Sequence, residues 1–596
     1  MTDTLFYLVW RNKHIRKEIN YNFIARDQIT IRYLGQLEKN HRFLENLHKD
    51  IHVIYNIKDE IADHLYQTHK YKHLITHLII PIEALSLYLD DNNNNNNVLV
   101  YGLNICCSKT NKQLTLEQRN NGFPASIKYI SFTNIRELED IYVIPESITS
   151  LELVIQRNLY FNVGLIPGTV KHLKFGFFEY AYTNLIELSP GVIPSSVTHL
   201  EFVNFSQPLT KVGDLPDSIT YLDLSDFFDD DVHHLPASLT TLYMGRFSKT
   251  LSRTVWPPRL KKLVMGDSFN RDIFTSTSPP LPPSLTFLDM GEVFDEEIDI
   301  GQLPPNLSTL RLGPWYSHSL SSDLESMASI KHLDIRAIKN GPIPHNATDV
   351  SCSYTFAKAY PKMPLSVRHL RFDAPHGLKL PTGYFSQHIT KLVLNYDRAL
   401  VPTDIPTSVT NLSLSIPDSI HLSPQCIPFS VTKLSLRLTQ SPPRFNSSLF
   451  GSKQQIKRIG PHVIPPSVHT LCLYFSHYVL GVDIPSSVTK LKYDSMSVTD
   501  FELDKLPASI KCLDIRSAKV KFPLPLHLFT PTLETIKVDK YKETQIITQI
   551  YENHKIKPYV LLKTINIHRQ FHLVMHLNLN NTPLREQYIC SKSKVF

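Results

Sequence analysis

The sequence predicts a mainly β protein in which parallel strands stack into a solenoid, one strand for each repeat of about 22 residues. Three observations indicate this fold: a proline returns at a nearly fixed interval, each proline opens the same short phrase, and each phrase ends in alternating apolar and polar residues. Three successive copies are Pro194-Ser-Ser-Val-Thr-His-Leu-Glu-Phe202, Pro216-Asp-Ser-Ile-Thr-Tyr-Leu-Asp-Leu224 and Pro236-Ala-Ser-Leu-Thr-Thr-Leu-Tyr-Met244. Such a period is typical of stacked supersecondary units, so most of the chain is expected to form one repeat array.

The parts of this phrase have separate structural roles. Proline fixes φ and suits the first central position of a turn, so it sets where each coil bends. The serine two residues later can bond nearby backbone groups that the bend leaves unpaired. The alternation points Leu200 and Phe202 to one face and Glu201 to the other, as a β-strand requires. Stacked strands about 4.8 Å apart then join their inward Leu and Phe side chains into one core.

The period divides the chain into four predicted regions. Residues 1–66 carry no repeat, and apolar residues at helical spacing predict a helical N-terminal region there. Residues 67–119 are predicted to form a capping strand and a disordered loop that contains a run of asparagines. Residues 120–540 are predicted to form the repeat solenoid of about 19 units. Residues 541–596 leave the period and are predicted to form a C-terminal cap.

The strand and the residues after it resemble the leucine-rich repeat pattern Leu-x-x-Leu-x-Leu-x-x-Asn. Asn204 takes the place of the final Asn in one copy. A second element follows about 11 residues after the proline, and its Phe and Leu are predicted to close the opposite wall of each coil. Phe247-Ser-Lys-Thr-Leu251 is an example. Glycine takes the Asn place in four other copies, where a chain leaving a strand can use positive φ: Gly245, Gly266, Gly291 and Gly313.

Together these two elements resemble the FNIP repeat family, whose units read roughly Phe-Asn-x-x-Ile and then Gly-x-Ile/Leu-Pro-x-Ser-Val-x-x-Leu. Gly191-Val-Ile-Pro-Ser-Ser-Val is a close match. The N-terminal Leu5-Phe-Tyr-Leu-Val-Trp-Arg-Asn-Lys13 is similar to the leader found in that family. The resemblance covers roughly residues 120–540 and this leader. It implies a leucine-rich-repeat-like scaffold, and it implies no specific ligand and no catalytic residue.

Composition narrows the classes of function. The net charge of +7 over 596 residues is mild, whereas a nucleic-acid-binding protein normally shows a denser concentration of Lys and Arg. The seven cysteines are scattered without metal-ligand spacing, which is typical of reduced intracellular thiols. The apolar run at residues 5–10 is too short for a signal peptide or a membrane span. These features predict a cytoplasmic protein with no transmembrane segment.

No catalytic signature is apparent in the sequence, and neither a cofactor nor a metal site is expected. Four histidines, His172, His199, His332 and His369, each precede a core Leu and are expected as solvated residues of the outer sheet face. A metal site requires several ligands that converge at tetrahedral distances. The acidic and histidine-containing stretch at residues 229–234 is predicted to be a charged loop tip. We therefore expect a protein that is not an enzyme.

The two residues that flank each core Leu, five and seven positions after the proline, are expected on the exposed sheet face. In the middle repeats they are aromatic and acidic, as suits a protein-binding surface, and in the later repeats they are basic. An exposed sheet face is polar whether or not it binds a partner, so the pattern also fits a surface with no ligand. The hypothesis is a non-enzymatic scaffold for protein–protein interaction along this face. Its candidate partner-binding residues are His199, Glu201, Tyr221, Asp223, Tyr243, Phe287, Asp289, Arg311, Arg371, Lys391, Lys433, Lys490 and Lys492.

Two alternatives remain at this stage. In the first, the N-terminal helices dock a ubiquitin ligase in the manner of F-box proteins and the repeats select substrates, although the leader lacks a clear Leu-Pro opening. In the second, the basic C-terminal half binds RNA or acidic lipid weakly, and such binding would be sensitive to salt. Nucleic acid is the less favoured partner because the overall charge is mild.

Overall fold

The chain forms two compact units, Met1–Pro375 and His376–Phe596, here named the N-terminal unit and the C-terminal unit. The structure, a computed structural model, describes residues 28–31, 52–57, 68–81, 102–106, 127–135, 144–155, 161–177, 189–338, 343–354, 363–374, 377–439, 457–475, 479–495, 506–515, 533, 535–538, 564–567 and 571–573, together with residues 34, 37, 38, 41, 44, 45, 65 and 66, and with gaps at 206, 275–277, 319, 321–326, 378, 382 and 419.

The described part of the N-terminal unit is built from short strands, each of which pairs in parallel with the next along the chain. Two 3₁₀ helices, Lys72–Leu74 and Ile300–Gln302, lie between strands. The strands are β1 (Gln28–Ile31), β2 (His52–Asn56), β3 (His77–Pro81), β4 (Gly102–Cys106), β5 (Tyr129–Ile135), β6 (Ser150–Ile155), β7 (His172–Phe177), β8 (His199–Val203), β9 (Tyr221–Asp223), β10 (Thr241–Tyr243), β11 (Lys262–Val264), β12 (Phe287–Asp289), β13 (Thr309–Leu312), β14 (His332–Ile338), β15 (Asp349–Tyr354) and β16 (His369–Asp373).

The C-terminal unit repeats this arrangement. Its strands are β17 (Lys391–Asn395), β18 (Asn411–Pro417), β19 (Lys433–Thr439), β20 (Lys457–Ile459), β21 (Thr470–Phe475), β22 (Val479–Val482), β23 (Lys490–Ser495), β24 (Cys512–Asp514), β25 (Thr535–Val538), β26 (Thr564–Ile567) and β27 (Phe571–Leu573). Strands β17, β18, β19, β21, β23, β24, β25 and β26 pair in parallel in that order. Strands β20 and β22 form a separate parallel pair, and β27 is antiparallel to β26. Parallel stacking at the period of the repeat confirms the predicted mainly β solenoid.

The recurring proline marks a tight turn at the start of each strand-bearing segment. The N–H of Leu239 donates to the carbonyl of Pro236 at 3.1 Å, and the same bond over three residues recurs after most of the repeat prolines. Copies that lack the proline keep the bond, as from Ile330 to Met327 and from Ile389 to Ser386. The turn therefore depends on the backbone path, and proline favours that path without being essential to it.

The serine two residues after the proline bonds differently from the expectation. Its hydroxyl donates to a carbonyl of the preceding coil and not to a group in its own bend: Ser218 bonds Val197 at 2.7 Å, and Ser430 bonds Val409 at 2.7 Å. The bond joins successive coils because stacking places the bend of one coil beside the residues that precede the strand of the previous coil. It also forms at Ser147, Ser196, Ser238, Ser284, Ser329, Ser408, Ser467, Ser487 and Ser509.

We expect Ser218→Ala to lower the free energy of unfolding by about 1.5 kcal/mol, because the Val197 carbonyl loses its hydroxyl donor. Urea denaturation of the full chain measures the loss. Ser252→Ala is the matched control, since Ser252 is exposed and has no such inter-coil bond in the described structure. Equal stability of the two variants would contradict the role assigned to the serine.

The core contains two walls, as the repeat predicts. Strand residues such as Leu222 and Leu242 are completely buried. The opposite wall is a stack of parallel rings from successive coils, with centroids 6.1 to 6.4 Å apart and planes within 20° of one another. These fully buried rings, the inner aromatic stack, are Phe205, Phe228, Phe247, Phe269, Phe294 and Tyr316.

The glycines that follow the strands are required for two different reasons. Gly245 and Gly291 have φ of +67° and +80°, as expected for a chain leaving a strand. Gly266 and Gly313 do not adopt positive φ, so the expectation is wrong for them. At all four positions the backbones of successive coils approach closely: a Cβ on Gly266 would lie 1.4 Å from the carbonyl oxygen of Gly245, and a Cβ on Gly245 would lie 1.6 Å from that of Ser225.

The regions outside the repeats differ from the prediction. Strands β1 and β2 lie within residues 1–66, so this region is not wholly helical. Scattered residues such as Leu37, His41 and Leu44 have helical backbone, while residues 1–27 lie outside the described residues, so the helical leader stays a prediction.

The predicted capping strand is an interior strand, because β3 pairs with β2 on one side and β4 on the other. The asparagine run at residues 92–97 lies outside the described residues. At the other end, β26 and β27 fall within residues 541–596 and extend the sheet beyond the predicted solenoid.

Candidate functional site

Every predicted partner-binding residue lies on a strand and alternates with buried core residues, so the exposed sheet face has the predicted composition. Binding at this face stays a prediction. In the N-terminal unit the face carries His199 and Glu201 on β8, Tyr221 and Asp223 on β9, Tyr243 on β10, Phe287 and Asp289 on β12, Arg311 on β13 and Arg371 on β16. In the C-terminal unit it carries Lys391 on β17, Lys433 on β19, and Lys490 and Lys492 on β23.

The parallel register places aromatic side chains of neighbouring strands in contact. His172, His199 and Tyr221 are register partners on β7, β8 and β9. The rings of His199 and Tyr221 stack with centroids 3.8 Å apart and planes within 8° of each other. His172 lies 5.2 Å from His199, and Tyr243 lies 5.7 Å from Tyr221, both in tilted arrangements. Stacking in these geometries stabilises the rings beyond the area they bury.

Two cations continue this row along the solenoid. The Nζ of Lys262 lies 4.7 Å from the ring centre of Tyr243 and 5.0 Å from that of Phe287, and it donates to the Tyr243 hydroxyl at 2.5 Å. The guanidinium of Arg311 lies 5.2 Å from the ring centre of Phe287. Rings contact rings from β7 to β10, and rings and cations alternate from β10 to β13. This outer ladder consists of His172, His199, Tyr221, Tyr243, Lys262, Phe287 and Arg311.

Half-buried carboxylates lie beside the outer ladder. Burial raises the pKa of Asp223 above its ordinary value, although its carboxylate accepts the N–H of Ser225 at 3.0 Å. Burial also raises the pKa of Asp289, whose oxygen lies 3.6 Å from the guanidinium of Arg311. A carboxylate with a raised pKa is stabilised by a nearby cation. Arg311 supplies such a cation to Asp289.

Two histidines of the outer face share one carboxylate, which the spacing in the sequence did not indicate. Nδ1 of His332 lies 3.3 Å from one oxygen of Asp349, and Nδ1 of His369 lies 2.6 Å from the other. Burial opposes ionisation of Asp349, but the hydroxyl of Thr348 and the two imidazoles lower its pKa below the ordinary value. The three strands β14, β15 and β16 bring these groups together, so His332 and His369 both contact the Asp349 carboxylate and are not merely solvated.

The acidic stretch at residues 229–234 connects two coils. Asp229 accepts the N–H of Ser248 at 2.8 Å, and Asp230 lies 3.4 Å from the Nζ of Lys249. Within the described residues, no group of three or more His, Cys, Asp or Glu side chains has the arrangement of a metal site. The same described residues include no helix that is long and apolar enough to cross a membrane.

In the C-terminal unit the outer face includes two residues that were not predicted to lie there, Arg437 and Tyr474. Strand β19 continues its alternation beyond the expected length, which places Arg437 on the outer face beside Tyr474 of β21. The guanidinium of Arg437 lies 5.1 Å from the ring centre of Tyr474, and the Nζ of Lys492 lies 5.0 Å from it. The pattern Leu-x-Leu-x-Leu at Leu434, Leu436 and Leu438 was the signal for this longer strand.

The family comparison bears directly on the strands that carry the outer ladder. A family model described as FNIP Repeat matches residues 184–227, 205–247 and 279–314, which include β8, β9, β10, β12 and β13. The chain contains FNIP repeats. The matches confirm the resemblance to FNIP repeats over residues 184–247 and 279–314. None of the curated proteins matches this sequence.

The fold of this chain is similar to that of a solved leucine-rich repeat protein. CroV588, described as a novel circular LRR protein structure, aligns with a TM-score of 0.50 and 18% identity over 87% of this chain and 77% of its own. YopM from Yersinia enterocolitica WA-314 aligns with a TM-score of 0.27 and 18% identity over 66% and 91%. A chain from the Toll–Spatzle complex of Drosophila aligns with a TM-score of 0.36 and 11% identity over 86% and 87%.

Proposed function

We propose that this FNIP-repeat protein is a non-enzymatic scaffold that binds a protein partner along the outer ladder. Its leucine-rich-repeat-like fold is typical of protein-interaction scaffolds, in which successive coils build one extended surface. The observation that carries the proposal is the unbroken contact of rings and cations from β7 to β13. Tyr and Arg are among the residues that dominate binding energy at protein interfaces.

The geometry reduces the entropic cost of binding. Long side chains normally lose rotamer freedom when a partner immobilises them. In the outer ladder Lys262 is already held between Tyr243 and Phe287, and Tyr221 is already stacked on His199. A partner therefore meets side chains whose orientation is set before contact. This preorganisation favours the interpretation that the face binds a partner over the interpretation that it is a solvated surface with no ligand.

The test is recovery of partners from a cell extract with the full chain as bait. We expect Tyr221→Ala combined with Phe287→Ala to reduce recovery of any specific partner at least tenfold, while the fold remains intact, because both side chains lie on the outer face. Phe429→Ala is the control, since Phe429 is 65% exposed but lies in a turn of the C-terminal unit and not on a strand of the outer ladder. Equal recovery by the double variant and the control would contradict the proposal.

A further inference from the structure

A second surface, in the C-terminal unit, spans three neighbouring strands and carries positive charge on the outer two, β19 and β23. The register aligns Lys433 of β19, Thr470 of β21 and Lys490 of β23 in one row. Two residues farther along lies the row of Ser435, Cys472 and Lys492, and two farther again the row of Arg437, Tyr474 and Asp494. The cationic patch is defined here as Lys433, Arg437, Lys490 and Lys492.

Tyr474 orients two of the four cations. Arg437 and Lys492 come from the strands on opposite sides of β21, and each lies within 5.1 Å of the Tyr474 ring centre. Such cation–π contacts hold a charged side chain in place while its polar atoms remain available to a ligand. The patch therefore presents fixed charges in addition to the freely exposed side chains of Lys433 and Lys490.

The charge of the patch is only partly balanced within the chain. Burial opposes protonation of Lys492, but Tyr474, Asp514 and Asp494 together raise its pKa above the ordinary value. Among the described residues, no carboxylate forms an ion pair with Lys433, Arg437 or Lys490. Three cations thus lack a partner of opposite charge in the described part of the unit.

We propose that the cationic patch binds an acidic polypeptide segment, one belonging to the partner that the scaffold engages, so this inference rests on the proposed function. Carboxylates match the patch because Arg437 offers a planar guanidinium for two-point contact, and Lys433 and Lys490 offer point charges. The hydroxyls of Ser435 and Thr470 lie in the rows between the cations and provide additional donors.

The same geometry disfavours nucleic acid. Sequence-tolerant binding of single strands requires aromatic faces on which bases stack. Arg437 and Lys492 occupy positions over Tyr474 from both neighbouring strands, so this ring does not offer a free face.

The inference is tested by fluorescence anisotropy with the full chain and three probes: a labelled oligo-glutamate peptide, a labelled oligouridylate of equal charge, and vesicles containing phosphatidylserine. We expect the peptide to bind in a salt-sensitive manner and most tightly of the three. Lys433→Glu with Lys490→Glu should weaken peptide binding at least tenfold. The control with the same change in net charge is Lys261→Glu with Lys331→Glu, two exposed lysines of the N-terminal unit, and it should bind the peptide as the unmodified chain does.

Lys433→Gln with Lys490→Gln provides a milder variant, and denaturation curves verify that each variant is folded. Absence of peptide binding, equal peptide binding by both charge-reversed proteins, or oligouridylate or vesicle binding at least as tight as peptide binding would overturn the inference. If the full chain captures a partner through the outer ladder but does not bind the peptide, only this inference is overturned. If the chain binds the peptide but captures no partner that depends on the outer ladder, the proposed function is overturned instead.

Discussion

Phe269→Ala is expected to destabilise the protein by about 4 kcal/mol. Phe269 is completely buried and stacks between Phe247 and Phe294, each 6.1 Å away. Its removal leaves a cavity in the middle of the inner aromatic stack, and the rigid spacing of the coils prevents the wall from closing over it. Urea denaturation of the full chain, followed by far-ultraviolet circular dichroism, measures the shift of the unfolding midpoint.

Phe287→Ala is the matched control, since the same substitution is made one coil later on the opposite face. Phe287 is half-buried on the outer face, and its ring contacts Lys262 and Arg311. We expect a loss of about 1 kcal/mol from these cation–π contacts. If Phe287→Ala costs as much stability as Phe269→Ala, the division of the coil into a structural inner stack and a binding outer face is wrong.

Gly266→Ala is expected to destabilise the protein by about 3 kcal/mol. The added Cβ would lie 1.4 Å from the carbonyl oxygen of Gly245 and 2.9 Å from the Cα of Arg246. Both obstacles are backbone atoms of the preceding coil, so a side-chain movement cannot relieve the clash and the two coils must separate. The separation strains the pairing of β10 with β11, which lies close by. Thermal and urea denaturation of the full chain measure the effect.

Gly168→Ala serves for comparison. Gly168 does not adopt positive φ, and no atom lies within 4 Å of the position where its Cβ would be. We expect unchanged or slightly higher stability there, because alanine restricts the unfolded chain. Comparable losses at Gly168 and Gly266 would show that inter-coil crowding is not the reason for glycine after the strand.

Much of the architecture was predictable because it depends on the period. The proline phrase located the bend, and the alternation around Leu222 and Leu242 located the buried face of each strand. The Phe of the second element was correctly assigned to the opposite wall. These features are set by residues within one repeat, and a repeat is short enough to interpret from its own pattern.

The candidate surface was predictable in position and not in its contacts. Counting from the proline placed Tyr221 and Phe287 on the outer face, as observed. It did not show that Lys262 links two rings, or that Asp349 bridges His332 and His369. Those contacts join residues about a full repeat apart, and they depend on the lateral register of the strands.

The amino-acid pattern was sufficient to establish a parallel solenoid, its period, and which side of each strand faces the core, because all of these follow from local turns and from alternation. Only the folded chain showed the inter-coil bond of Ser218, the crowding at Gly266 and the pairing of Arg437 with Tyr474. Each of these depends on the distance between successive coils, which is set when the strands pair. The recurring proline therefore specifies the path of one coil, and the stacking of coils decides which side chains meet.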